Sequence, residues 1–521
     1  MSVKKQKLIR RTLSVQSSIT AQSNRPVNAT GRSPLRASSN EFTTLIDGIL
    51  YDSLAKLKNL SRALAVNNDY AKAYVRLWVN NIVGPRGPQL RPNIKLSDGS
   101  LDEKTNDTIA MHFKRWAMNA GGPGVSLLDI IRLSVRTLAI DGEVFTLLET
   151  SPDRYGLRLI QPDTHRVPVW LNSGVGLRLG ATQSTSPGRH IRLGVEFDDK
   201  RIRHNYYLTR YQPHEVFSSS VFITGSHNTN QKSYILQPAN DTLHYFIPEF
   251  MEQTRGIPPM TSTIVRLNHL DGYEEAAVAA AQVGACQMGF FKSSDGTQGQ
   301  IADRIFQETN DEGEITKENH EVQVSPGQMN EMPPGYDGFE PFTPDNPNTA
   351  FADFVDGTIR PIASALGVDA ASLGQNLKAV NQSTLKHTSM TYHRQWRAFQ
   401  TDIAEKILRP AYRRWLAAAR LTKDINISTD QADEACYCAQ FVWPGFDFVD
   451  PVKQTQANQL MLSLGIKSRT EMCNEMGTDF ADVAKQIKAE QEVEANLGMA
   501  KNDVMINEQA KDETEDMDDE N

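Results

Sequence analysis

Residues 347–417 read PNTAFADFVDGTIRPIASALGVDAASLGQNLKAVNQSTLKHTSMTYHRQWRAFQTDIAEKILRPAYRRWLA. Two helices and a glycine-containing break are written into this run. The first is expected over 347–366, roughly 30 Å long at a rise of about 1.5 Å per residue. Gly367 opens the connection 367–380. The longest helix of the chain follows over 381–417. Its apolar stripe is Leu385, Tyr392, Trp396, Phe399, Ile403, Ile407, Ala411 and Trp415, at steps mostly of three or four. Pro410 is expected to bend it, because proline cannot donate the helical hydrogen bond.

Working outward towards the N-terminus, residues 292–345 are turn-rich and acidic. Between 295 and 340 there are eleven acids against only Arg304 and Lys317. Short strands such as His320 to Val324 are expected there. Residues 261–291 read as a long Ala-rich helix containing Leu267, Leu270, Ala279-Ala280-Ala281 and Phe290-Phe291. Ahead of it the pattern is mixed. Helical periodicity covers about 41–84 and stops at Gly84-Pro85, and a strand is expected from Leu90 to Ile94. Helices are expected at 104–118 and 126–140. Strands are expected at 143–148, 157–160, 194–197, 206–208 and 244–247. Beyond the longest helix, Asp450 with Pro451 and Ser468 with Glu471 mark two further helix starts. The fold class is α+β and helix-rich.

Charge is distributed unevenly along the 521 residues. Residues 1–40 hold eight basic residues and no acid, and residues 501–521 hold nine acids against Lys501 and Lys511. Both ends are expected to be disordered, lacking the apolar residues that would offset ordering entropy. The stretch 41–500 is left with a net charge of -9. Such an acidic body argues against a protein that grips DNA tightly, since that takes dense Lys and Arg. No window is apolar enough to span a bilayer, and no apolar core follows the basic N-terminal residues. The chain is expected to be neither exported nor anchored. Cys286, Cys436, Cys438 and Cys473 are too few for a disulfide framework and are expected to be free thiols.

Catalytic signatures are missing. There is no GxxxxGK[ST] loop, no HExxH and no GxSxG. Gly174-Val175-Gly176 followed by Gly180 lacks dinucleotide-binding spacing. His387 and His393, six apart on a helix, point in different directions and cannot share a metal. Asp353 and Asp356 share a helix face, either as an ordinary solvated surface or as an acidic rim facing a polyanion. No cofactor or metal is expected, and no enzymatic activity.

Several segments in order carry a resemblance. They are Asn67-Asn68-Asp69-Tyr70-Ala71-Lys72-Ala73 running on to Ile82-Val83-Gly84, then Ile140-Asp141-Gly142-Glu143-Val144-Phe145, then Leu157 to Asp163. Gln253-Thr254-Arg255-Gly256-Ile257-Pro258-Pro259-Met260 comes next. The strongest is Ile362-Ala363-Ser364-Ala365-Leu366-Gly367-Val368 with Asn381-Gln382-Ser383-Thr384 after it. Across about residues 50–490 this series resembles the lambda-type family of phage portal proteins.

That resemblance implies a homo-oligomeric ring, generally of twelve subunits, at one capsid vertex of a virion assembled in the bacterial cytoplasm. It implies a mixed wing over 41–261, stem helices at 262–291 and 346–366, and a clip at 292–345 between them, whereas the basic arm at 1–40 departs from the family pattern. A tunnel loop at 367–380 would come after these, with Gln375, Asn376 and Lys378 facing DNA, and Asp353 and Asp356 would face the channel from the second stem. The long backbone helix and a return to the wing would occupy 381–445 and a crown 446–495; the acidic tail 496–521 matches no motif of the family. Implied partners are the chain itself, the terminase large subunit, a head–tail connector or adaptor, a major capsid or scaffold protein, and double-stranded DNA in transit, with no membrane. An acidic conduit suits passing DNA, because like charge repels the duplex. The alternatives are a Mg²⁺-dependent nucleic-acid enzyme using clustered acids, or a capsid or scaffold protein binding shell subunits through its basic arm.

Overall fold

A computed structural model describes residues 45–96, 98–173, 188–210, 234–285, 289–292, 307–309, 315–317, 338–341, 351–376, 382–446, 451–478 and 480–496. The expected arm and tail, and the glycines at 174–180, lie outside the described residues.

The periodic run expected over 41–84 is two helices, α1 (Ile46–Asn67) and α2 (Asp69–Ile82). They part at Asn68, whose side chain accepts from the Ala71 N–H at 3.0 Å and caps α2. β1 (Gln89–Arg91) is shorter than the expected 90–94 strand; Asn93 adopts φ 55°, which ends the extended run. α3 (Glu103–Ala117) and α4 (Leu127–Asp141) lie where the pattern put them. Asp102 caps the first, a Ser126–Asp129 capping box opens the second, and Gly142 at φ 78° closes it.

β2 (Glu143–Thr150), β3 (Leu157–Ile160), β4 (Arg189–Arg192), β5 (Val195–Asp198), β6 (Arg203–Thr209), β7 (Tyr234–Pro238) and β8 (Thr242–Phe246) form two antiparallel sheets. β2 is central in the order β3-β2-β8, with Leu147 opposite Ile160 and Phe145 opposite His244. The other sheet runs β4-β5-β6-β7. Phe145, Val167, Val195, Phe197, Tyr206 and Leu208 fill a small core shared by the two sheets.

α5 (Ile264–Ala285) stops six residues short of the helix expected through 291. Phe290 and Phe291 instead lie in β9 (Gly289–Lys292), which pairs antiparallel with β12 (Gly338–Pro341), Phe291 opposite Phe339. Gly284 and Gly289 weaken helix continuation, and paired phenylalanines suit a strand. Between them β10 (Gln307–Thr309) and β11 (Ile315–Lys317) form a hairpin ladder. The strand expected at 320–324 lies outside the described residues.

α6 (Phe351–Leu366) is followed by a short helix, α7 (Ala370–Gly374), inside what the sequence suggested was an open connection. Asp369 nucleates it by accepting from the Ser372 N–H at 2.9 Å. α8 (Gln382–Ile403) then passes through a π turn, Ala404–Leu408, into α9 (Arg409–Leu421). The π turn explains how Pro410 is tolerated. Proline has no N–H for the carbonyl four residues back and its ring crowds that carbonyl, and the wider turn just before it relieves both. α10 (Thr429–Cys438) and β13 (Gln440–Val442) return the chain to the N-terminal half, β13 pairing antiparallel with β1 so that Leu90 faces Phe441. α11 (Pro451–Ser463), α12 (Arg469–Glu475) and α13 (Phe480–Asn496) complete the described chain. Ser468 caps α12 from the expected position, accepting from the Glu471 N–H at 3.1 Å, whereas Asp450 lies outside the described residues. Cys436, Cys438 and Cys473 are free.

The main core gathers α2, α3, α4, α8 and α9 around aromatic side chains. Trp396, Ile403, Ile407, Ala411 and Trp415 of the long stripe are all buried there, while the Leu385 side chain lies outside the described residues. Trp415 is fully buried and meets the Phe113 ring edge-on at 5.1 Å; Trp78 lies 5.0 Å from Phe399. Replacing Trp415 by Ala is expected to cost about 3–5 kcal/mol, read as a lower denaturant midpoint at unchanged slope.

Candidate functional site

β2 begins with a carboxylate that has no access to water. Glu143 is 0 % exposed, as are Lys58 on α1 and Arg255 in the 253–256 run. The Lys58 ammonium donates to Glu143 Oε1 at 2.6 Å. Arg255 donates through Nε at 2.9 Å to both carboxylate oxygens and through Nη2 at 2.6 Å. His244 Nε2, on β8, lies 3.0 Å from Oε2, and the Gly256 N–H donates to the same oxygen at 3.1 Å. Arg255 Nη1 reaches the carbonyls of Leu193 at 2.7 Å and Val167 at 3.1 Å. A single acid therefore joins α1, β2, β8 and the chain leading into α5, and Arg255 carries the link on to Leu193 in the turn between β4 and β5.

Burial pushes the Glu143 carboxyl up, but Arg255 and then Lys58 pull it well below the usual carboxylate range. The carboxylate stays ionised. Burial lowers Lys58, against the pull of Glu143, and lowers His244 to about 4, so the imidazole is neutral at pH 7. A second cluster lies alongside. Arg62 grips Asp141 at 2.8 and 2.5 Å and Asp163 at 3.0 Å through two donors, and the Thr164 hydroxyl donates to Asp141 at 2.7 Å.

Backbone packing makes the junction intolerant of any side chain. A Cβ on Gly142 would collide with the Ile257 carbonyl, and one on Gly256 with the Gly142 carbonyl. Gly142 also holds φ 78°, a conformation that β-carbon-bearing residues rarely adopt. Two segments more than a hundred residues apart thus fit together through paired glycines flanking an ion pair.

From this junction Pro258 leads through a 3₁₀ turn, Pro259–Ser262, into α5. The Tyr70 hydroxyl on α2 donates to Glu274 at 2.6 Å and braces that helix. The Tyr273 ring stacks 5.7 Å from Phe351 and lies 4.4 Å from Phe354, joining α5 to α6. On α6 Ile359, Ile362 and Leu366 are buried, Asp353 is exposed and Asp356 is half-buried. Asp356 accepts from Asn376 Nδ2 at 2.6 Å, tying the end of the 367–376 connection back to α6. Gln375 closes α7 at φ 51° with its side chain exposed.

A profile of the lambda family of phage portal proteins matches residues 33–400. The chain belongs to that family. It is 26 % identical over 445 residues to a "Probable portal protein" of Halomonas phage phiHAP-1, covering 85 % of this chain and 81 % of that one. It is 21 % identical over 322 residues to the "Portal protein" of Escherichia phage N15, covering 58 % of this chain and 59 % of that one. Among solved structures, a chain of the "Neck of empty GTA particle computed with C6 symmetry" overlays with a TM-score of 0.42 at 12 % identity, covering 80 % of this chain and 93 % of that chain. A chain of the "Virion of native gene transfer agent (GTA) particle" gives 0.40 at 13 % identity, covering 82 % and 93 %.

Of the residues read from the sequence, the structure brings Asp356 and Asn376 together, sets Asp353 one turn away and leaves Gln375 on the surface. Lys378 lies outside the described residues, as does the side chain of His387; His393 stacks on Phe446 at 4.0 Å. Among the described residues no group of three His, Cys, Asp or Glu side chains could hold a metal ion, and no helix is long and apolar enough to cross a membrane. Sequence reading missed the Lys58–Glu143–Arg255–His244 cluster. The available signal was a charged residue beside a glycine in each of two segments, with Glu143 directly before the apolar Val144 and Phe145.

Glu143→Gln would leave two buried cations without their counter-charge and is expected to destabilise the chain by about 3–5 kcal/mol in denaturant titration. His244 supplies a separate pH dependence. Below about pH 6.5 the unfolded chain binds a proton there that the folded chain refuses until about pH 4. Stability therefore falls as pH drops through that window, by up to about 3 kcal/mol. Burial also lowers His112, His165 and His393, so the difference between proteins carries the test. A His244→Gln variant should show a shallower loss of unfolding temperature between pH 7 and pH 4.5 than the parent, and parallel curves would refute the assignment.

Proposed function

We propose that this chain is the subunit of a ring that forms the channel through which DNA is packaged into, and later leaves, a phage capsid. Family membership across 33–400 carries the reading. The geometry supports it through one feature: α5 and α6, which flank residues 286–350 in the sequence, are locked together by aromatic rings, and α5 is braced by Tyr70. In this reading the pair is the stem and residues 292–345 are the clip that meets the terminase large subunit and then the head–tail connector. The connection 367–380 faces the duplex with Gln375, Asn376 and Lys378, and Asp353 and Asp356 line the channel above it. Asp353, exposed on α6, meets passing phosphate as like charge, whereas Asp356 fixes the loop through Asn376. The loop is then a held element with exposed polar side chains, suited to brushing DNA without retaining it.

Residues 41–261 form the wing, 381–445 the backbone helix with its return strand, and 446–495 the crown. The ring holds about twelve copies at a virion vertex, built in the host cytoplasm against capsid or scaffold protein. The chain has no turnover of its own, uses no cofactor, and works beside a separate motor.

Imaging purified protein in negative stain, averaged down the symmetry axis, tests this directly. Rings of about twelve subunits with an open centre that admits duplex DNA are the expected result. Monomers or closed shells across a range of salt concentrations would overturn it. With rings in hand, Asn376→Ala should leave assembly intact and alter the amount of DNA packaged per particle; unchanged packaging would remove Asn376 from the DNA-facing set.

A further inference from the structure

A groove of about 560 Å³ opens between α3, β1 and the start of α4, with Asp482 of α13 on its rim. Its floor is apolar, including Leu90, Phe113 and Leu127. Met111 on α3 and Met118, which caps its C-terminal end, stand 44 % and 59 % exposed, with Lys114 between them in sequence. Arg86 supplies a second cation. Paired exposed methionines make an adaptable apolar surface, and two cations against the single acid Asp482 leave the lining net positive, which favours a segment that is both apolar and acidic.

We infer that the groove is the docking site of this chain's own C-terminal tail, with Val504-Met505-Ile506 in the apolar floor and the acids beyond them against Lys114 and Arg86. Three observations pick this occupant. The first is composition: residues 501–521 join that apolar triplet to nine acids. The basic arm 1–40 carries no acid and would be repelled by the same two cations. The second is direction. Asp482 lines the groove, as Met111 and Lys114 do, while Lys485 reaches Asp107 at 3.4 Å, one turn before Met111 towards the start of α3 and outside the lining. α13 therefore leads away from the groove. The third is reach. From Asp482 to the helix end at Asn496 the rise is about 21 Å at 1.5 Å per residue. An extended chain at about 3.3 Å per residue recovers that distance in about seven residues. Val504 is the eighth residue past Asn496, so the apolar triplet falls where the returning chain meets the groove.

Docking there gives the C-terminal helices a strap. α11, α12 and α13 contain no buried residue among those described. Their polar ties to the body include Lys485 with Asp107 and Arg91 with Asn474 at 2.5 Å. A seated tail adds apolar contact on the far side of α13 and holds the segment against α3.

The test is carbodiimide coupling of the full-length chain, which joins an amine to a carboxylate in contact, followed by peptide mass spectrometry. The Lys485–Asp107 link is the internal control. The expected result is a link from Lys114 to a carboxylate within 503–516, reduced at least fivefold by Met118→Asp while the control link persists. Recovery of the control link without any Lys114–tail link would overturn the proposal. So would a Lys114–tail link insensitive to Met118→Asp. Mixing isotope-labelled and unlabelled chains before assembly separates routes: links within one label support docking in the same chain, and links only between labels overturn it.

Discussion

One carboxylate with no water around it governs the layout of this chain. Glu143 is shared by Lys58, Arg255, His244 and the Gly256 N–H, and these partners are drawn from three separate stretches of the sequence. Such a group is stable only when its shell is complete, because an ionised carboxylate out of water without partners is far costlier than any single bond it makes. Completing that shell places α1, β2, β8 and the 253–256 run in one arrangement. The Gly142–Gly256 approach leaves no slack for a second one.

The junction also sets geometry at a distance. α5 starts a few residues beyond Arg255, so its direction is inherited from the buried pair and then braced by Tyr70 and Glu274. α6 takes its position from α5 through Tyr273, Phe351 and Phe354, and the 367–376 connection takes its own from α6 through Asp356 and Asn376. A chain of contacts thus runs from a fully dry ion pair to an exposed polar loop. Burial decreases along it, from Glu143 at 0 % exposure to Gln375 on the surface.

Local pattern made much of this readable in advance. α3, α4, β2 and β3 stood within a residue or two of their expected places, since caps, glycine stops and apolar spacing are all short-range signals. The apolar stripe through Trp396 and Trp415 likewise marked the core. Failures have long-range or competing causes. β1 with β13 is a pairing about 350 residues apart, and three residues on each side carry no periodicity to announce it. Phe290 and Phe291 suit a helix end or a strand equally until Phe339 is known to lie opposite. α7 depends on a single aspartate cap within a run that glycines made look open. The order of family-like segments was legible too, yet not that two of them, around Glu143 and Arg255, touch.

The β1–β13 ladder also sets a timetable for synthesis. Its first strand leaves the ribosome about 350 residues before its second, so at roughly 5–20 residues per second the N-terminal half waits on the order of 20–70 s for its closing strand. Over that interval β1 has a bare edge, and the bed that Tyr412 and Trp415 fill on Phe113 stands open. The N-terminal half can therefore complete its packing only once Tyr412, Trp415 and β13 have been made.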